Sequence, residues 1–178
     1  MRKKLVVAVA LAAFLATGTA FADFGIGVYG GFGLVGGGGA GLTLAFSDIY
    51  VYIDFASGAS GWNRFHLSGA VDFITFLDAE IIPTLNWYIR LGIGAALWGY
   101  DRRYLDSGAY RTRSGIGTAA GVRVPIGVSW MALDWIEVFG QAIPQVGMRF
   151  SGYEGGSRSG VGLWHNFFGA NLGVRFWL

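Results

Sequence analysis

Residues 166–178 alternate without a fault. Phe168, Ala170, Leu172, Val174, Phe176 and Leu178 fall on one parity, and Phe167, Gly169, Asn171, Gly173, Arg175 and Trp177 on the other. A period of two marks a strand whose faces see different surroundings. One face is apolar throughout, and the other mixes small, polar and charged groups. Such a strand needs a first strand to pair with, so the rest of the chain is expected to be the sheet that it closes.

The composition narrows what kind of sheet this is. Arg2, Lys3 and Lys4 precede an apolar run from Leu5 to Ala16, and Ala20-Phe21-Ala22 is a small-x-small site. That is the pattern of a secretory signal peptide over 1–22, cleaved after about Ala22; the run is shorter than the ~20 residues of a spanning helix. From Asp23 onward ten arginines face eleven acids, a net charge of −1, so the basic character of the whole chain belongs to the leader. Nucleic acid is not an expected partner. With no cysteine, disulfides and thiol chemistry are excluded. Charged residues make up 13% of the chain, about half the usual share, while glycine (31) and aromatics are abundant. No stretch after the leader reaches 18 consecutive apolar residues. An exported, apolar, non-helical chain rich in glycine and aromatics points to a transmembrane β-barrel over 23–178.

Period-two stretches predict eight strands: 24–35, 39–46, 49–56, 65–73, 85–98, 116–126, 136–142 and 166–178. The fifth is the clearest, with Leu85, Trp87, Ile89, Leu91, Ile93, Ala95 and Leu97 against Asn86, Tyr88, Arg90, Gly92, Gly94, Ala96 and Trp98. Residues 36–39, 57–63, 100–114 and 151–162 read as loops at one end. Shorter connections, at 47–48, 77–83 and 129–134, read as the other end. Longer loops are expected outside the cell. Pro125 is expected near a strand end, and Pro144 at a bulge or kink. The fold class is therefore all-β, an eight-stranded antiparallel up-and-down transmembrane β-barrel with a filled polar lumen.

The charges give a sharper criterion. Most lie in the proposed turns and loops. Asp54, Asp72, Arg90, Arg123, Glu137, Arg149 and Arg175 lie within strands, each on the less apolar parity. An arginine turned to the bilayer midplane costs about 2–4 kcal/mol, whereas inside a barrel it can meet an acid. Asp54, Asp72 and Glu137 are expected to form a lumen ion network with Arg90, Arg123 and Arg175. An eight-stranded barrel is only wide enough to hold side chains, so no open channel is expected.

The layout resembles the small eight-stranded outer-membrane barrels of the OmpA/OmpX kind. More specifically, the runs GVRVPIGVSW (121–130), LDWIEVFGQAIP (133–144) and GVRFWL (173–178), with Leu85-Asn86-Trp87-Tyr88, are similar to a family of small outer-membrane barrels known from spirochaetes. The resemblance implies fold and bacterial outer-membrane location, not an activity. Family members commonly carry an acid where Gln141 stands. The chain ends Trp177-Leu178, where an assembly signal usually ends in an aromatic.

Candidate chemistry is sparse. Gly25 to Gly30 matches G-x-G-x-x-G, but inside a strand, where dinucleotide binding needs a strand-to-helix turn. The bland reading is that lumen glycines make room for Tyr29. His66-Leu67-Ser68 has the H-x-S spacing of outer-membrane lipid A deacylases, with Asp72 on the same parity, yet its face is inward. His165 has no metal-ligand companions. No cofactor, metal or catalytic residue is expected. Arg102, Arg103, Arg111 and Arg113 in the 100–114 loop are the candidates for contact with anionic head groups or an acidic host surface. Trp87, Trp98, Phe55 and Trp130 are read as girdle aromatics. The expected protein is a monomeric, non-enzymatic barrel whose partners are outer-membrane lipids and a host or extracellular ligand at its loops. The alternatives are a narrow channel for small or apolar solutes, a lipid-modifying enzyme using His66 and Ser68, and a soluble barrel of lipocalin type.

Overall fold

A computed structural model describes residues 24–32, 38–56, 63–106, 109–153, 160–163 and 168–178. The expected signal peptide, 1–22, lies outside them. The strands are β1 (Phe24–Phe32), β2 (Gly38–Phe46), β3 (Ile49–Ala56), β4 (Asn63–Ile82), β5 (Leu85–Asp106), β6 (Ala109–Arg123), β7 (Ile126–Leu133), β8 (Ile136–Tyr153), β9 (Gly160–Leu163) and β10 (Phe168–Trp177). Every pairing is antiparallel, and the ladder returns to its start: β10 pairs with β1 from Gly25↔Trp177 to Phe32↔Ala170. Where the ten strands overlap, closure leaves no free edge, and the backbone groups there are satisfied within the ring; among the described residues the ends of β4, β5 and β6 and all of β9 pair on one side.

Ten strands make eight staves. β6 and β7 both lie between β5 and β8 and form one stave, interrupted at Val124 and Pro125. Proline has no N–H to donate. The ladder bridges the gap through carbonyls: Arg90 N donates to Pro125 O at 2.9 Å and Val124 N to Pro144 O at 2.8 Å. Pro144 therefore sits beside the interruption, and no register shift marks a bulge there. β9 and β10 likewise both pair with β8 and form the last stave.

Several boundaries differ from the sequence reading, each for a local reason. The expected connection at 77–83 is strand: β4 runs to Ile82 and turns at Pro83–Thr84, where Thr84 has φ 77°. Register shifts at Asp72/Ile74, Thr75/Leu77 and Glu80/Ile82 each insert an unpaired residue, which breaks the period of two. The expected 100–114 loop is a paired arm of β5 and β6, polar on both faces and so without alternation. Residues 129–133 belong to β7, with the turn at Asp134–Trp135. β8 extends to Tyr153, into the expected 151–162 loop, and β9 begins at Gly160.

The two faces are chemically opposite. Outward positions such as Val28, Leu42, Ile93, Val122, Val146 and Leu172 are exposed and apolar. Inward positions hold Tyr29, Tyr52, Tyr88, Trp98 and Phe139 with the buried charges. Trp98 is thus a lumen residue, 3% exposed, not a girdle aromatic. Trp130 and Trp135 are outward at the tight-turn end, where Trp135 stacks on Phe176.

Small residues make room for the rings. A Cβ on Gly173 would lie 2.6 Å from Phe139 Cζ and from Tyr29 Cβ, whereas one on Gly30, facing outward, would meet nothing nearer than 3.8 Å. Gly173→Ala is expected to destabilise the folded barrel by about 1–3 kcal/mol in urea titrations. Gly30→Ala should stay within about 0.5 kcal/mol.

Candidate functional site: the lumen and its outer mouth

Inward parity on six strands brings the buried polar groups together. At the tight-turn end Arg175 on β10 faces Glu137 on β8, its direct register partner. Arg175 Nη1 lies 2.6 Å from Glu137 Oε2, and Nη2 donates to Thr43 Oγ1 at 3.2 Å. Trp177 Nε1 donates to the same carboxylate oxygen at 2.9 Å. The guanidinium also sits against Phe139 (4.7 Å) and Tyr50 (4.9 Å). Arg175 is wholly buried, so its charge is balanced by that carboxylate and those ring faces rather than by solvent.

Further along the lumen, Arg123 Nε is 3.0 Å from Asp72 Oδ1, and Nη2 donates to Oδ2 at 3.4 Å. Arg90, 2% exposed, is sandwiched between Tyr50 (3.5 Å) and Tyr88 (3.7 Å). Gln141 Oε1 accepts from Tyr88 OH at 3.2 Å and Tyr52 OH at 3.5 Å. Asp54 stands nearer the mouth, half-buried, and accepts from Ser68 Oγ at 2.7 Å. The six charges thus form two ion pairs, one ring-clamped cation and one acid held by a hydroxyl.

Tyr50, Tyr52, Tyr88, Phe139 and Thr43 are partners that a reading confined to charges missed. Their signal was present, since each shares the parity of the arginines it meets. What sequence spacing lacks is height along the barrel, which decides that Tyr50 on β3 meets Arg90 on β5.

This arrangement fills the lumen with paired charges and stacked rings. Ser68 is 4% exposed and its hydroxyl donates to Asp54, while His66 Nε2 has no hydrogen-bond partner, so the two do not form a nucleophile–base pair. Among the described residues no group of three His, Cys, Asp or Glu could hold a metal ion. Toward the mouth the lumen opens: Arg149 is exposed, with its guanidinium 5.2 Å over the Trp98 ring. The backbone places Arg102, Arg103, Arg111 and Arg113 beyond it, on the paired arm of β5 and β6.

No family model and no curated protein matches this sequence. Among solved structures the chain is similar to the N-terminal β-barrel domain of OprF from Pseudomonas aeruginosa, at 12% identity over 87% of this chain and 96% of that one, with a TM-score of 0.38. It is similar to a major outer membrane protein from Thermus thermophilus at 12% identity, over 86% and 98% of the two chains, with a TM-score of 0.47. Outer membrane protein H (OprH) from P. aeruginosa, solved in DHPC micelles, gives 18% identity over 88% and 100%, with a TM-score of 0.43. The fold assignment rests on the closed ladder of this chain itself.

The energetic logic of the buried pair is testable. Removing one partner leaves the other charge buried and uncompensated, at a cost of about 3–5 kcal/mol, whereas replacing both with apolar groups is often neutral. Glu137→Leu is expected to lower unfolding stability by that amount. Adding Arg175→Met should restore most of it, as read by urea titration of tryptophan fluorescence.

Proposed function

We propose that this chain is an integral β-barrel of a bacterial outer membrane, closed to solutes, that works as a monomer and meets soluble ligands at its long-connection end. One observation carries the reading: the barrel is inside out relative to a soluble domain. Val28, Ile93, Ile116, Val146 and Leu172 are all more than half exposed on the outer wall, while Asp72, Arg90, Arg123, Glu137 and Arg175 are buried within. In water that wall would be a large exposed apolar surface; in lipid it is solvated by acyl chains. This weighs against a lipocalin-type soluble barrel, whose apolar side chains face inward.

The filled lumen weighs against a channel, because ion pairs and stacked rings occupy the path. The burial of Ser68 inside the barrel, unpartnered by His66, weighs against lipid modification. What remains for function is the mouth. There Arg149 is exposed, and the β5–β6 arm extends beyond the level of Trp98. A structural contribution to the envelope follows from the closed wall, and surface binding from the arm.

Refolded protein is expected to require detergent or lipid, to migrate faster on cold gels before boiling than after, and to give no discrete conductance steps in planar bilayers. Solubility without detergent would overturn the membrane reading, and stepwise conductance the closed lumen. Mass spectrometry of the membrane-inserted protein should find an N-terminus at Asp23, and an intact leader would overturn the expectation of cleavage.

A further inference from the structure

At the tight-turn end, neighbouring strands of the ring finish nearly in step, except at one place. β1 meets β2 at Phe24↔Phe46, β10 meets β1 at Gly25↔Trp177, β8 meets β10 at Ile136↔Phe176, and β5 meets β7 at Leu85↔Trp130. Pairing of β3 with β4, by contrast, stops at Tyr50↔Asp72, while β4 runs on to Ile82. Over 74–82 the strand pairs with β5. On its other side no backbone partner lies among the described residues, which include the β2–β3 turn that ends beside it. Strand tilt staggers neighbours in any barrel, but here most of the stagger at this end falls between β3 and β4.

Register shifts at Thr75/Leu77 and Glu80/Ile82 bracket a regular run on this edge: Leu77↔Ile89, Asp78↔Tyr88, Ala79↔Trp87 and Glu80↔Asn86. Asp78 and Glu80 share the face of Tyr88, but past the rim, where both are exposed. Asn86 Nδ2 donates to Asp78 Oδ1 at 3.2 Å, and neither acid has an ion pair among the described residues. Asp48, in the adjoining turn, is a third exposed acid. Leu77 and Ala79 alternate with the acids on the outer face. Phe76 and Ile81, at the two shifts, are 64% and 54% exposed. An unpaired edge offers a row of N–H and C=O groups that another strand can satisfy and an acyl chain cannot.

We propose that this edge of β4 takes an added strand from another polypeptide, an extended segment in which apolar and basic residues alternate. Main-chain bonds to the unpaired side of 77–80 supply affinity, and alternate side chains supply specificity. Basic residues of the added strand fall beside Asp78 and Glu80, and apolar ones beside Leu77 and Ala79. A second copy of this chain fits poorly. Antiparallel pairing centred on the run would set Asp78 and Glu80 against the same acids, and like charges directly opposite are destabilising. The inference goes beyond the membrane-barrel reading and uses it only to place the edge. With the long connections outside the cell, the tight turns, and so the partner, lie on the periplasmic side.

The test follows amide hydrogen exchange in the full-length barrel reconstituted into phosphatidylcholine nanodiscs, with folding checked by gel mobility before and after boiling. In the protein alone, amides on the unpaired side of 74–82 should exchange freely, while those of 66–72 are protected. A peptide of about nine residues alternating valine and lysine is expected to slow exchange over 74–82 by about tenfold or more, and one alternating valine and glutamate is not. Asp78→Asn with Glu80→Gln should weaken binding of the valine–lysine peptide by about fivefold. Asp78→Lys with Glu80→Lys should reverse the preference between the two peptides. Protection of 74–82 in the protein alone, no protection by either peptide, or equal protection by both would overturn the inference. A chain that stays in solution without detergent or lipid would instead overturn the membrane reading, and the same titration in buffer would then decide the edge.

Discussion

The antiparallel seam between β1 and β10 makes everything else possible. Without it the sheet has two open edges, and neither could survive in hydrocarbon, where no water satisfies an N–H or a carbonyl. With it, the strands of the ring pair on both sides, and side chains are left with two environments. Outward positions see apolar surroundings; inward positions see one another. The closing strand also carries Arg175, which joins β10 to β8 through Glu137 and to β2 through Thr43. A one-residue slip of this strand would turn Arg175 outward, so the ion pair and the register specify each other.

Much of this was legible as alternation. Residues 85–98 and 168–177 show an unbroken period of two, and their strands stand where that period puts them. Alternation fails where bulges insert single residues, as between Asp72 and Thr75, and the paired strand beyond then reads as a loop. It also fails where both faces are polar, as along 101–106, although the backbone pairs there as regularly as elsewhere. Trp98 shows a third limit. Residue type suggested an interfacial girdle, yet its parity with Arg90 and Gly94 already placed it inside.

The lumen separates into two regions of different character. Near the tight turns, charges are buried, paired and packed among rings, which suits them to holding a shape. Near the mouth, the same inward face becomes exposed at Arg149 and continues as a two-stranded arm. Face is inherited along a strand, so the parity that buries Glu137 and Gln141 on β8 carries the exposed Arg149 at its opening.

The account depends most on which face of the wall meets lipid. Single nitroxide labels placed along β5 from residue 85 to 98, in barrels reconstituted into bilayers, would read this directly. Collisions with oxygen dissolved in the lipid should rise at Trp87, Ile89, Leu91, Ile93, Ala95 and Leu97 and fall at the positions between them. An accessibility profile without that period of two, or one whose peaks fall at Tyr88, Arg90 and Gly92, would contradict a barrel that is apolar outside and ionic within.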